Sequence, residues 1–178
     1  AVNDTIERML KTLYAVFEVE RISLFFVDWK TEELILQVSK DIEIREVRLP
    51  MGAGLVGACA RSGKIVNVPD VTKDPRFFGD MDKKSGFTTR CVLCCPIMDG
   101  NDRATAVIQL VNKKGNQSIF SRDDEEVLSN VAEQMALTLA HKQIEMQADG
   151  NKKNTPLWQV EDFLHVSIKR FYNNSLSK

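Results

Sequence analysis

The sequence predicts an α+β fold. It reads as a six-stranded, mostly antiparallel sheet with long N- and C-terminal helices on one face and a short helix and a lid on the other. Three observations carry this prediction. Apolar residues recur at helical spacing near both ends of residues 1–147. Between them lie short runs rich in Val, Ile and Phe, separated by hairpin-type turns. A glycine-rich turn, Gly52-Ala53-Gly54-Leu55-Val56-Gly57, breaks the strand series and opens a short helix.

The elements follow in order. Residues 5–18 form a helix, with Ile6, Met9, Leu10, Leu13, Val16 and Phe17 on one side and Asp4 and Glu7 as a capping box. Arg21 to Asp28 is a strand, DWKTEE a polar turn, and Leu34 to Val38 the returning strand. A third strand runs from about Ile44 to Leu49, with a phase slip near Arg45 that a bulge would produce. The helix after Gly54 ends at Gly63, and Ile65 to Val68 is a short strand stopped by Pro69 and Asp70.

Residues 69–89 are a long polar connection. Its aromatics Phe77, Phe78 and Phe87 argue for a folded lid with a turn or short helix around Pro75 to Met81. Arg90 to Met98 and Ala104 to Asn112 make a hairpin through Asp99-Gly100-Asn101-Asp102. Ser121 caps a helix reaching about Gln147. Asp123, Asp124, Glu125 and Glu126 suit its positive end, and Val127, Leu128, Val131, Met135, Leu139 and Ile144 form its apolar stripe. Residues 148–154 read as a linker, and Thr155-Pro156 opens a further helix leading toward a next domain. The boundaries are therefore 1–147 for the domain and 148–178 for linker and helix.

Composition excludes several classes. The chain has 178 residues, 43% hydrophobic and 28% charged, with net charge -1. That balance gives no footprint for nucleic acid. No apolar run reaches the ~20 residues of a membrane span. The absence of an initial Met suggests a piece excised from a longer protein. Cys59, Cys91, Cys94 and Cys95 lack the second Cys/His pair of a zinc site. On a strand, residues 91 and 94 point to opposite faces, so the thiols read as buried and reduced, which fits a cytoplasmic location.

The glycine-rich turn is the candidate binding element. Its glycines allow positive φ and close approach, and the first N–H groups of the helix suit a phosphate. The spacing Gly52-x-Gly54-x-x-Gly57 also fits a dinucleotide fingerprint, but Pro50 closes the strand before it and the helix is only about two turns. A turn without a ligand remains the plain alternative.

Further marks follow in series. They are Gly54-Leu55-Val56-Gly57, Ile65-Val66-Asn67-Val68-Pro69-Asp70, Asp74-Pro75-Arg76-Phe77-Phe78, Ser85-Gly86-Phe87-Thr88-Thr89-Arg90, and Asn112-Lys113, Phe120 and Asp124-Glu125. In this order they resemble a GAF domain, most closely those of cyclic nucleotide phosphodiesterases, over about residues 5–147. The resemblance implies a cyclic nucleotide between the sheet and the helix–lid layer. Leu55 and Val56 would offer backbone N–H groups to the phosphate, and Phe78 would pack on the purine. Ser85 and Thr89 would bond ribose or phosphate. Ser23, Ser39, Lys40 and Gln109 would line the base and ribose side. Asn112, Lys113, Phe120, Asp124 and Glu125 would be a structural signature, with a Lys113–Asp124 bridge clipping the last helix to the sheet.

Related cyclic-GMP-binding domains carry acidic residues where Lys40 and Gln109 stand. Guanine presents N1–H and N2–H donors, and Lys40 cannot accept a hydrogen bond. The resemblance therefore implies cyclic AMP over cyclic GMP. It further implies a regulatory domain, a homodimer through the long helices and a catalytic domain elsewhere in the same chain. Catalysis by this segment is not expected, since phosphodiesterase chemistry needs several His and Asp metal ligands and only His141 and His165 are present. A ligand-free dimerisation module is the other reading. A related fold reduces free methionine sulfoxide with paired cysteines, against which stands the opposite facing of Cys91 and Cys94.

Overall fold

The computed structural model describes residue 11 and residues 13–38, 47–52, 54–79, 82–83, 86–115 and 119–148. In order these form strands β1 (Val19–Asp28), β2 (Glu33–Val38) and β3 (Val47–Pro50), helix α1 (Gly54–Ser62) and strand β4 (Val66–Val68). After a 3-10 turn at Val71–Lys73 come β5 (Val92–Met98), β6 (Ala104–Lys113) and helix α2 (Arg122–Ala148). The sheet order is β3-β2-β1-β6-β5-β4, and every pairing is antiparallel. The expected α+β architecture is therefore the observed one.

β1 and β6 are the central strands, and both faces of them are covered. Even-numbered residues on these strands, including Ile22, Leu24, Phe26, Ile108 and Leu110, pack with Leu13 and Phe17 and with Leu128, Ala132 and Met135 of α2. Odd-numbered residues, including Phe25, Val27, Val107 and Val111, pack with Leu55, Val56, Cys59 and Ala60 of α1. The period of two thus splits one sheet between a helix layer and a site layer.

Local chemistry fixes the turns. Asp28, 3% exposed, accepts hydrogen bonds from the backbone N–H groups of Lys30 (2.9 Å) and Thr31 (3.3 Å), closing the turn into β2. Asp99 does the same for Asn101 (2.8 Å) and Arg103 (3.0 Å). In that hairpin the left-handed residue is Asp102 (φ 57), not Gly100. α1 stops at Gly63 as expected, with φ 63 and its N–H on the Cys59 carbonyl at 2.9 Å.

The helix stripe needs one correction. Val127 is 39% exposed, and Ala132 takes a buried place instead. Leu128, Ala132 and Met135 stand at i, i+4 and i+7 and define the seam, while Val127 lies about 100° around the helix from Leu128. The thiols divide as strand geometry predicts: Cys91 and Cys95 lie in the helix-side cluster, Cys59 and Cys94 in the other. The predicted bulge near Arg45, the capping box at Asp4 and the helix from Thr155 lie outside the described residues. Among the described residues, no helix is long and apolar enough to cross a membrane.

Candidate functional site

Three central strands bring one polar row to the α1 side of the sheet. The register sets Ser23 of β1 opposite Gln109 of β6, and Gln109 opposite Cys94 of β5. Their neighbours on that face are Phe25, Val92, Val107 and Val111, all apolar. Ser23 is only 5% exposed. A few polar groups set together in an apolar concave face are the ordinary make-up of a small-molecule site, so this row is the candidate floor of one. Burial pushes the Cys94 thiol up to about 12, against a hydrogen bond from Gln109 and with Cys95 adding to the rise. The nearby Arg76 charge works in the opposite direction. Cys94 is therefore a neutral wall of the site and no nucleophile.

α1 forms the roof. It begins at Gly54, whose φ of 70 suits glycine, and its first amides include those of Leu55 and Val56. The side chains of Leu55 and Val56 are buried against the sheet, which fixes the helix start over the floor. Gly57 has a separate reason. A Cβ there would sit 2.1 Å from the Met51 carbonyl oxygen, so only glycine lets the turn and the helix meet.

The lid closes the side. Asp74 accepts the Arg76 backbone N–H (2.9 Å), its Nε (2.9 Å) and its Nη2 (2.7 Å). These side-chain and backbone bonds hold the Asp74 carboxyl down to about 2. The Arg76 carbonyl oxygen lies 3.9 Å from where a Gly54 side chain would begin, so this turn rests on the start of α1. Phe77 and Phe87 are half-buried against the site-side cluster. The Arg21 guanidinium stacks 3.7 Å from the Phe87 ring centroid. Asp82 accepts the Thr89 N–H (2.7 Å) and hydroxyl (2.9 Å).

The expected site residues separate accordingly. Ser23, Gln109, Leu55 and Val56 come together on one side of the sheet. Thr89 lies at the lid root with its donors given to Asp82. Phe78 stands 66% exposed, while Phe77 and Phe87 turn inward. Ser39, Lys40 and Ser85 lie outside the described residues. Sequence reasoning missed Arg21, Arg76 and Asp82. The spacing Asp74-x-Arg76 carries a local turn signal, and Arg21 shares the parity of Ser23; nothing in the sequence pairs Asp82 with Thr89.

The signature residues form a bracket behind the site. Lys113 Nζ lies 2.6 Å from Asp124 Oδ2, which is the expected clip. Burial raises the Asp124 carboxyl, but bonds from Lys113 and Ser121 outweigh it and hold it below its ordinary value. Ser121 Oγ accepts the Asp124 N–H (3.1 Å), and Asp124 accepts the Ser121 N–H (2.8 Å), a reciprocal cap for α2. Phe120 is buried with the helix layer, and its carbonyl accepts from Asn67 Nδ2 at 3.0 Å. Glu125 donates its N–H to the Ser121 carbonyl at 3.2 Å.

A GAF domain model matches residues 2–139. The chain belongs to the GAF domain family. This GAF domain is 32% identical over 133 residues to the dual 3',5'-cyclic-AMP and -GMP phosphodiesterase 11A of Takifugu rubripes, covering 68% of this chain and 15% of that protein. It is 30% identical over 139 residues to the probable 3',5'-cyclic phosphodiesterase pde-5 of Caenorhabditis elegans, covering 71% and 19%. The chain thus spans less than a fifth of the length of these relatives.

Among solved structures, the GAF domain of an Acinetobacter phosphoenolpyruvate-protein phosphotransferase superposes with TM-score 0.65 at 23% identity, covering 85% of this chain and 87% of that one. A free methionine-R-sulfoxide reductase from Neisseria meningitidis gives 0.62 at 18%, covering 78% and 77%. Both share the fold. Among the described residues, no group of three or more His, Cys, Asp and Glu side chains could hold a metal ion.

Proposed function

We propose that this GAF domain is the regulatory cyclic-nucleotide-binding domain of a 3',5'-cyclic nucleotide phosphodiesterase, with cyclic AMP favoured over cyclic GMP. The observation that carries this reading is the polar row Ser23–Gln109–Cys94, set into an apolar sheet face beneath the start of α1. Relatives named as cyclic nucleotide phosphodiesterases support it.

In this reading the Leu55 and Val56 amides meet the cyclic phosphate at the positive end of α1. Ser23 and Gln109 meet the base, with Ser39, Lys40 and Ser85 as further contacts. Phe78 folds over the purine, and Thr89 anchors the lid beside the ribose. The row offers an amide and a hydroxyl but no carboxylate for the guanine N1–H and N2–H pair, which favours adenine. The catalytic domain lies elsewhere in the parent chain, residues 148–178 lead toward it, and the parent is cytoplasmic. Ligand binding acts by biasing two arrangements of the long helices.

A dimerisation role also has a specific observation behind it. Val16 and Leu137 are 53% and 72% exposed on the helix layer, where a homodimer would cover them. It is compatible with ligand binding; the alternative is dimerisation alone.

A thermal-shift titration with cyclic AMP and, separately, cyclic GMP tests the reading. A ligand that binds only the folded state stabilises it by ~2.7 kcal/mol at a hundred times its Kd. A saturable shift, larger for cyclic AMP at equal concentration, is expected. No shift with either, on ligand-free folded protein, would leave the ligand-free dimerisation module.

A further inference from the structure

The last two residues of β6 hold different parts of the molecule. Asn112 is 1% exposed and has φ 56. Its Oδ1 accepts the N–H groups of Arg90 (2.7 Å) and Cys91 (3.3 Å), and its Nδ2 donates to the Thr88 carbonyl (2.7 Å) and Glu20 Oε2 (2.9 Å). An asparagine side chain has two donor hydrogens and two acceptor sites, so this one is fully used. All but the Glu20 bond fasten the root of the lid. The next residue, Lys113, holds Asp124 at 2.6 Å, and Asp124 closes the cap of α2 with Ser121.

At the other end, Thr88 continues into Thr89, whose two donors go to Asp82 inside the lid. An unbroken run of bonds therefore leads from Asp82 through residues 88–89 and 112–113 to Asp124. A displacement of the peptide between residues 112 and 113 moves both attachments together, because each hangs from one of its two residues.

We propose that Asn112 and Lys113 are positioning residues that couple the lid root to the first turn of α2. Order in the lid then slows opening of that turn, and a firm turn steadies the lid, since coupling between two sites is reciprocal. The coupling is a property of the chain itself. Only the statement that a cyclic nucleotide drives it rests on the reading above.

Amide hydrogen exchange on the purified chain tests it first without nucleotide. Asp82→Ala cuts the latch by removing both acceptors, and the milder Thr89→Val removes its hydroxyl half. We expect exchange at the Glu125 amide to accelerate about tenfold, within the usual range of coupling between sites. In an Asn112→Gly background, which keeps the left-handed φ while removing the amide, the same cut changes it less than about twofold. Lys113→Met breaks the run at its other end and gives the same uncoupling should Asn112→Gly not fold. Faster exchange at Thr89 with an unchanged rate at Glu125 would overturn the proposal. So would an equal response in the Asn112→Gly background.

A second arm adds cyclic AMP. Exchange at Glu125 slows in the natural chain and stays unchanged in nucleotide-saturated Asn112→Gly protein. A chain that binds no nucleotide sinks the ligand reading alone, because the first arm has already decided the coupling.

Discussion

The two faces of the central sheet are made by the same strands and behave differently. On the helix side, Leu24, Ile108 and Leu110 share one apolar cluster with Leu128, Ala132 and Met135. On the α1 side, positions one residue away place Ser23, Gln109 and Cys94 among Val and Phe side chains under a glycine-bounded helix and an aromatic lid. The first face is a core that a stable domain needs. The second is also a buried cluster, but it sets polar groups among its apolar side chains, which the proposed function assigns to a ligand. A single strand, β1, thus feeds a core cluster on each face, and its polar Ser23 interrupts one of them.

The sharpest way to break this contrast is to damage one face alone. Leu128→Ala removes a fully buried side chain from the helix side and should cost about 2–5 kcal/mol in a urea melt. The ratio of the two nucleotide affinities should not change. A changed ratio would mean that the faces are not separate.

Gly57→Ala acts on the other face. The added carbon meets the Met51 carbonyl at 2.1 Å, so α1 must move. Overpacking of this kind costs about 1–3 kcal/mol, and here nucleotide binding should be lost while the helix layer stays folded by circular dichroism.

Asp124→Asn tests the bracket between the layers and should cost about 1–2 kcal/mol at neutral pH. The sign of its pH dependence follows from a carboxyl held below its ordinary value of 3.8. That stabilisation is present above about pH 4 and is lost as pH falls through the lowered folded value. Acid titration of stability should therefore be shallower in Asp124→Asn than in the natural chain below pH 4.

Ser23→Ala has the smallest expected effect and the most telling. In the proposed role the hydroxyl serves the ligand rather than the fold, so its removal should leave the stability of the free protein nearly unchanged. Cyclic AMP affinity should drop about three- to tenfold, the worth of one hydrogen bond at about 0.5–1.5 kcal/mol. A clear loss of stability would make Ser23 part of the core rather than of the site.

Much of this contrast was legible in the sequence. Apolar runs at residues 21–28 and 104–112 marked the two central strands, and the facing of Cys91 and Cys94 followed from the period of two along a strand. Gly63 as a helix stop and the Lys113–Asp124 clip were also readable, one from backbone chemistry and one through the family resemblance. What the sequence hid was tertiary. Phe77 rather than Phe78 turns inward, because the Asp74–Arg76 turn sets the chain direction just before them. Asp82 on Thr89, and Asn112 on residues 88, 90 and 91, are pairings at a distance that no local pattern encodes. Val127 failed for a simpler reason: a stripe read from apolar identity alone did not choose which edge of it met the sheet.

Methyl-resolved NMR titration with cyclic AMP tests the central claim most directly, because it reads both faces of the same strands in one experiment. The account predicts saturable shifts at the methyls of Val56, Val107 and Val111, with those of Leu24, Ile108, Leu110 and Leu128 moving little. Shifts confined to the second group, or none in either on folded protein at saturating nucleotide, would contradict it.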